Sequence, residues 1–167
     1  HWRNHIMIEV NARLPECTLH CRGQQGLDGI TVTELTRGRR VVLFAVPGAF
    51  TPTCSEAHLP GFQAAAHKLR DLGVEEIACV AVNDPFVMRA WAEALNVGDE
   101  ISLLSDGNGS FTRALGMDRD MSQAAMGVRS KRYAMVVEDG VVRWLGVDES
   151  GLENASAEAV LAFLESR

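Results

Sequence analysis

Two short, uninterrupted apolar runs constrain this chain more than any other feature: Arg40-Val41-Val42-Leu43-Phe44-Ala45-Val46 and Ile77-Ala78-Cys79-Val80-Ala81-Val82. Both contain β-branched residues and neither alternates with polar ones, the pattern of strands buried on both faces. Between them, Leu59, Phe62, Ala65, Ala66, Leu69 and Leu72 recur at spacings of three and four. That stripe predicts a helix over Cys54 to Leu72, closed by Gly73. Pro60-Gly61 is expected to kink or break it after its first turns. A buried strand, a helix and a second buried strand imply parallel pairing through a right-handed crossover.

The rest of the chain extends this unit. Asp84 is a good N-cap and Pro85 a good first helical residue, so Pro85 to Leu95 reads as helix. Ile101 to Leu104 reads as a short strand, Asp106-Gly107-Asn108-Gly109 as a turn, and Ser110 to Leu115 as a brief helix ended by Gly116. Tyr133 to Val137 and Val141 to Val147 flank Glu138-Asp139-Gly140, a strong hairpin signal. Ser156 caps a last amphipathic helix carrying Val160, Leu161 and Leu164. The order β-α-β-α-β-α-β-β-α predicts an α/β domain, a mixed central sheet with helices on both faces. This is the thioredoxin-like arrangement; a flavodoxin-like sheet shares its first half.

Composition narrows the function classes. The chain has 167 residues, 47% of them hydrophobic and 23% charged, with a net charge of -6. The acidic balance gives no general attraction to nucleic acid or to an anionic membrane. No apolar run approaches the roughly 20 residues of a spanning helix. Four cysteines, at 17, 21, 54 and 79, form no C-x-x-C pair and are too few for a disulfide framework. Residues 1–6 read as a cloning remnant and Met7-Ile8-Glu9-Val10 as a natural start, leaving one domain over 7–167. Unpaired thiols point to a reducing, cytoplasmic setting.

The most informative segment is Val46-Pro47-Gly48-Ala49-Phe50-Thr51-Pro52-Thr53-Cys54-Ser55, which joins the end of a buried strand to a helix. Open α/β sheets bind ligands at such edges. Cys54 sits at the helix entrance, where unpaired N–H groups and the macrodipole favour a thiolate. The Thr51 hydroxyl is placed to donate to a bound oxygen and accept from a neighbour. Pro47 and Pro52 stiffen the loop.

Pro47-Gly48-Ala49-Phe50-Thr51-Pro52-Thr53-Cys54-Ser55, with His58-Leu59-Pro60-Gly61-Phe62, resembles the active-site loop of the peroxiredoxins, more narrowly the type II or peroxiredoxin-5-like subfamily. Cys79-Val80-Ala81-Val82-Asn83-Asp84-Pro85-Phe86-Val87-Met88 and Gly127-Val128-Arg129-Ser130-Lys131-Arg132-Tyr133 continue the resemblance. It implies a thioredoxin fold and a thiol peroxidase for hydrogen peroxide and alkyl hydroperoxides. Cys54 would be the peroxidatic cysteine, completed by Pro47, Thr51 and Arg132, with the backbone N–H groups of Thr53 and Cys54 binding substrate. The thiolate would become a sulfenic acid. No metal, haem or flavin is implied, only an external thiol reductant. A homodimer is implied as well, meeting near Asp84 to Trp91 and Cys54 to Phe62.

Some members of the subfamily carry a resolving cysteine before the last helix. Here that stretch reads Gly151-Leu152-Glu153-Asn154-Ala155-Ser156, without one. The 25-residue spacing from Cys54 to Cys79 resembles the branch reduced by glutathione and glutaredoxin, with thioredoxin as the alternative. Cys79, the candidate secondary thiol, lies in a buried strand and reads first as a core residue. Cys17-Thr18-Leu19-His20-Cys21 makes a poor metal set and reads as a loop or edge strand. His58 reads as a structural contact, and Arg129 and Lys131 as solvated or supporting charges. Trp91, Phe62 and Phe111 read as core or subunit-contact aromatics. Rival functions are a cysteine hydrolase or acyltransferase, which needs an oriented histidine, and a redox sensor or holdase without turnover. A disulfide reductase is disfavoured because Thr51 stands where C-x-x-C spacing requires a thiol.

Overall fold

The computed structural model describes residues 6–23 and 26–167. Most of the supposed remnant, residues 1–5, lies outside the described residues; Ile6 is exposed. The strands are β1 (Thr18–Gly23), β2 (Gly26–Thr31), β3 (Arg40–Ala45), β4 (Glu76–Ala81), β5 (Ser102–Ser105), β6 (Asp118–Asp120), β7 (Val128–Ser130), β8 (Arg132–Glu138) and β9 (Val141–Asp148). The α-helices are α1 (Val32–Thr36), α2 (Leu59–Asp71), α3 (Pro85–Ala94), α4 (Ser110–Ala114) and α5 (Ala157–Glu165). Seven strands form one sheet in the order β2-β1-β5-β4-β3-β8-β9, and β6 and β7 form a separate ribbon.

The two apolar runs become β3 and β4, paired in parallel from Val41 opposite Glu76 to Ala45 opposite Val80. β5 continues the parallel set, while β8 and β9 add antiparallel strands on the other side. Side-chain alternation splits β3 between two cores. Val42 and Phe44 face α2, α3 and α5 together with Leu59, Phe62, Met88, Trp91 and Val160. Val41, Leu43 and Ala45 face the opposite layer, with Leu35 of α1 and Phe111 of α4. Helices therefore cover both faces, as the thioredoxin-like reading requires. Trp91, Phe62 and Phe111 are all fully buried core residues.

Local chemistry explains the element ends. The Asp84 carboxylate accepts from Val87 N–H at 2.9 Å, and Pro85 opens α3. Ser156 Oγ accepts from Ala159 N–H at 3.1 Å and caps α5. The β8–β9 turn places Asp139 and Gly140 at φ 49° and 80°, the left-handed pair that a two-residue hairpin favours. The β1–β2 hairpin is new relative to the sequence reading. Only Leu19 of β1 is fully buried, so an edge hairpin of this kind carries little apolar signal. Cys17 and Cys21 pack half-buried on this edge, as the edge-strand reading expected.

Candidate active site

The loop from β3 turns at Pro47 and Gly48, both buried. A Cβ on Gly48 would lie 2.9 Å from Met126 Cε and 3.2 Å from Thr51 Cγ2, so a side chain there would displace the end of Met126 and press on Thr51. Arg129 braces this corner by donating from Nε to the Met126 carbonyl at 2.8 Å and from Nη1 to the Val82 carbonyl at 3.1 Å. Asn83 Oδ1 accepts from Ala49 N–H at 2.9 Å and ties the loop to the end of β4. Phe50 then sits at φ 67°, a strained conformation for a bulky residue, and is 54% exposed.

Helical backbone begins at Pro52, and the Thr51 carbonyl accepts from Ser55 N–H at 2.9 Å. Proline at the first helical position loses nothing, because that N–H has no intrahelical partner. The N–H groups of Thr53 and Cys54 come next in the same first turn, where helices leave donors free. Cys54–His58 is a π-helical turn, in which Leu59 N–H donates to the Cys54 carbonyl. Regular helix resumes at Leu59. The expected break at Pro60-Gly61 is absent, since helical backbone runs without interruption from Pro52 to Asp71; the irregularity is instead a widened turn immediately before Pro60, whose missing N–H cannot support an α-ladder bond into it.

Cys54 and His58 are both buried, and one guanidinium joins them. Arg132, at the start of β8, donates from Nη2 to Cys54 Sγ at 3.2 Å and from Nη1 to His58 Nδ1 at 2.8 Å. His58 Nε2 lies 2.8 Å from the Ala155 carbonyl. Arginine only donates and a carbonyl only accepts, so the imidazole must accept at Nδ1 and donate from Nε2–H. Burial, and then the Arg132 charge, push the His58 pKa down to about 3. The ring is therefore neutral at ordinary pH and is no base for Cys54, as its structural reading expected. It lies tilted against Phe44 and Phe62, with ring centroids 4.9 and 5.6 Å away, and these contacts hold its plane.

The structure thus brings Pro47, Thr51, Thr53, Cys54 and Arg132 into one locality. Thr51 differs in detail from the expectation. Its hydroxyl donates to the Gly48 carbonyl at 2.6 Å, so its lone pairs, not its proton, are free for a ligand. Cys79 lies in mid-sheet, opposite Phe44 on one side and Leu103 on the other. Burial, reinforced by Cys54, pushes its thiol pKa well up, so it stays protonated. The contact between Arg132 and His58 escaped the sequence reading. It depends on a 74-residue separation that no local spacing signals.

The redoxin family model matches residues 9–161. The chain belongs to the peroxiredoxins. It is 53% identical over 163 residues to rice "Peroxiredoxin-2E-2, chloroplastic", covering 94% of this chain and 72% of the relative. Against Arabidopsis thaliana "Peroxiredoxin-2E, chloroplastic", identity is 49% over 162 residues, covering 94% and 69%. A crystal structure of reduced Prx3 from Vibrio vulnificus in complex with hydrogen peroxide superposes with a TM-score of 0.91 at 49% identity, covering 95% of this chain and 99% of that one.

This peroxiredoxin is accordingly a thiol peroxidase of the type II group, working by cysteine chemistry without a prosthetic cofactor. It acts on peroxides and is reduced by thiols. The cytoplasmic expectation is corrected by the two chloroplastic relatives. That expectation rested on unpaired thiols, which report a reducing environment and do not distinguish one compartment from another.

Proposed function

We propose that Cys54 is the peroxidatic cysteine and that Pro47, Thr51, Arg132 and the N–H groups of Thr53 and Cys54 form its peroxide site. The observation that carries this is the Arg132 Nη2 donor 3.2 Å from a fully buried Cys54 Sγ. A fixed cation at hydrogen-bond distance stabilises negative charge on the attacking sulfur and offsets the cost of burying that charge. The thiolate attacks the terminal oxygen of the peroxide, forming an S–O bond as the O–O bond breaks. Sulfur is oxidised to sulfenic acid; the leaving oxygen is reduced and takes a proton, departing as water or alcohol.

Charge in that transition state spreads from sulfur onto two oxygens. Arg132 and the two N–H groups donate to it without reorganising. Thr51, its proton held by Gly48, accepts from the peroxide O–H and so orients the attacked oxygen. Pro47 keeps the loop closed over the thiolate. Thr51→Val removes that acceptor and lets the attacked oxygen drift out of line, which should slow Cys54 oxidation about a hundredfold, while Thr51→Ser keeps most of the rate. Rapid-mixing fluorescence measures it; an unchanged rate in the valine variant would remove Thr51 from the site.

For recycling we favour glutathione, whose thiolate attacks the sulfenic sulfur, releases water and leaves a mixed disulfide that glutaredoxin removes. The support is the stretch Gly151–Ser156, which holds no cysteine, and the burial of Cys79. Thioredoxin remains the second reading. The site loop and α3 also expose Phe50 and Phe86 at the carboxyl edge of β3 and β4, consistent with a homodimer meeting there.

A peroxide-consumption assay coupled to NADPH separates the reductants. Turnover is expected with glutathione plus glutaredoxin. Turnover with thioredoxin alone would overturn the recycling reading and leave the peroxidase intact. A single oxidation with no turnover under any reductant would make the protein a sensor.

A further inference from the structure

We infer that Asp148 is a remote positioning residue for the reaction, acting on Cys54 through the Ala155 carbonyl, His58 and Arg132. The inference rests on the proposed role of Arg132 and extends it to the loop between β9 and α5.

Asp148 ends β9 and lies opposite Arg132 of β8 in the sheet register. It is 5% exposed, yet it forms no ion pair with that arginine among the described contacts. Its carboxylate turns to the following loop instead, where Oδ2 accepts from Glu153 N–H and Ala155 N–H and Oδ1 from Asn154 N–H, each at 2.9 Å. Burial opposes ionisation of this carboxyl, but the three N–H groups outweigh it, and its pKa is lowered. Three backbone bonds to one side chain dictate how the loop folds back. Asn154 Nδ2 adds a bond to the Val147 carbonyl at 3.0 Å, and Ser156 Oγ one to Glu153 O at 2.9 Å.

The return path is close. A Cβ on Gly146 would collide with the Asn154 backbone carbonyl, so the loop reaches this depth only over glycine. At that depth the Ala155 carbonyl meets His58 Nε2–H, which fixes the imidazole tautomer and aims the Nδ1 lone pair at Arg132. One Arg132 nitrogen is thereby held on histidine while the other addresses sulfur. The guanidinium is rigid and planar, so the two contacts are geometrically tied. The loop with no resolving thiol thus reaches the active site by a carbonyl.

Through-space charge and positioning predict opposite signs, which makes the inference testable. If Asp148 acted only as a nearby negative charge, removing it would favour the Cys54 thiolate. As a positioning residue, its loss lets the Ala155 carbonyl, His58 and then Arg132 drift, so the thiolate is disfavoured. Misplacing a catalytic group by a fraction of an ångström costs on the order of tenfold in rate.

The experiment compares Asp148→Ala and the shape-preserving Asp148→Asn, each in the wild-type and Arg132→Met backgrounds. Thiolate absorbance at neutral pH and the rate of oxidation by hydrogen peroxide are read on proteins with native circular dichroism. In the wild-type background, Asp148→Ala should lower the thiolate fraction and slow oxidation about tenfold. Asp148→Asn should do the same more weakly, and it carries the test if the alanine variant does not fold. In the Arg132→Met background neither substitution should add anything. A rise in thiolate, an unchanged rate, or an equal loss in both backgrounds would overturn the inference. If Arg132→Met itself changes nothing, the failure lies in the assigned role of Arg132 and not in the loop alone.

Discussion

Replacing Arg132 by methionine is expected to slow oxidation of Cys54 by hydrogen peroxide at least a hundredfold and to deplete the thiolate at neutral pH. Methionine is of similar length and keeps the packing of a side chain that is 7% exposed. What disappears is the donor 3.2 Å from Sγ and the positive charge with it. Losing one preorganised donor to a developing anion costs about 3 kcal/mol, roughly two decades in rate. Removing the cation also leaves any buried thiolate uncompensated, which adds to the loss. Arg132→Lys should recover only part of the rate, because an ammonium is a point charge and cannot hold His58 and Cys54 in one fork. Stopped-flow measurement of the first oxidation checks this. A rate equal to wild type would mean that the cation acting on Cys54 lies elsewhere.

Replacing Cys54 by serine should abolish peroxide turnover and leave the fold unchanged, since oxygen for sulfur is a small change in a packed position. The serine hydroxyl does not ionise at neutral pH, even beside Arg132, so no nucleophile is left. The other thiols cannot substitute. Cys79 is locked in the middle of β4 and its pKa is driven up by burial. Cys17 and Cys21 pack on the core of the opposite face of the sheet, the one that takes Val41, Leu43 and Ala45 and not Val42 and Phe44. Burial, and then neighbouring carboxylates, push both of their pKa values up. The coupled assay with hydrogen peroxide and the full reductant mixture measures the loss. Substantial residual turnover would transfer the chemistry to another cysteine.

The parts of the molecule that were legible in the sequence are those set by local rules. β3 and β4 are read from continuous apolar runs, α3 from Asp84-Pro85, and the β8–β9 turn from Asp139-Gly140. Cys54 and Thr51 are read from one loop because strand, turn and helix entrance are adjacent in the chain. What escaped depends on distance in sequence or on small changes in backbone geometry. The β1–β2 hairpin hides because its outer positions are polar and solvated. The π-turn at Cys54–His58 hides because it differs from α-helix by one residue in its hydrogen-bond span. The Thr51 proton goes to Gly48, which only the folded turn determines. Asp148, Ala155, His58 and Arg132 come from three separate stretches of chain, so only the folded sheet brings them together.

The central claim is that Cys54 is the atom-transfer centre, and the most direct measurement is mass spectrometry of the protein after one equivalent of hydrogen peroxide, with digestion to locate the product. The account predicts one added oxygen, trapped as a sulfenic acid on Cys54, with Cys17, Cys21 and Cys79 still reduced and no addition in Cys54→Ser. Oxygen placed first on any other cysteine, or appearing at an undiminished rate in the serine variant, would contradict it.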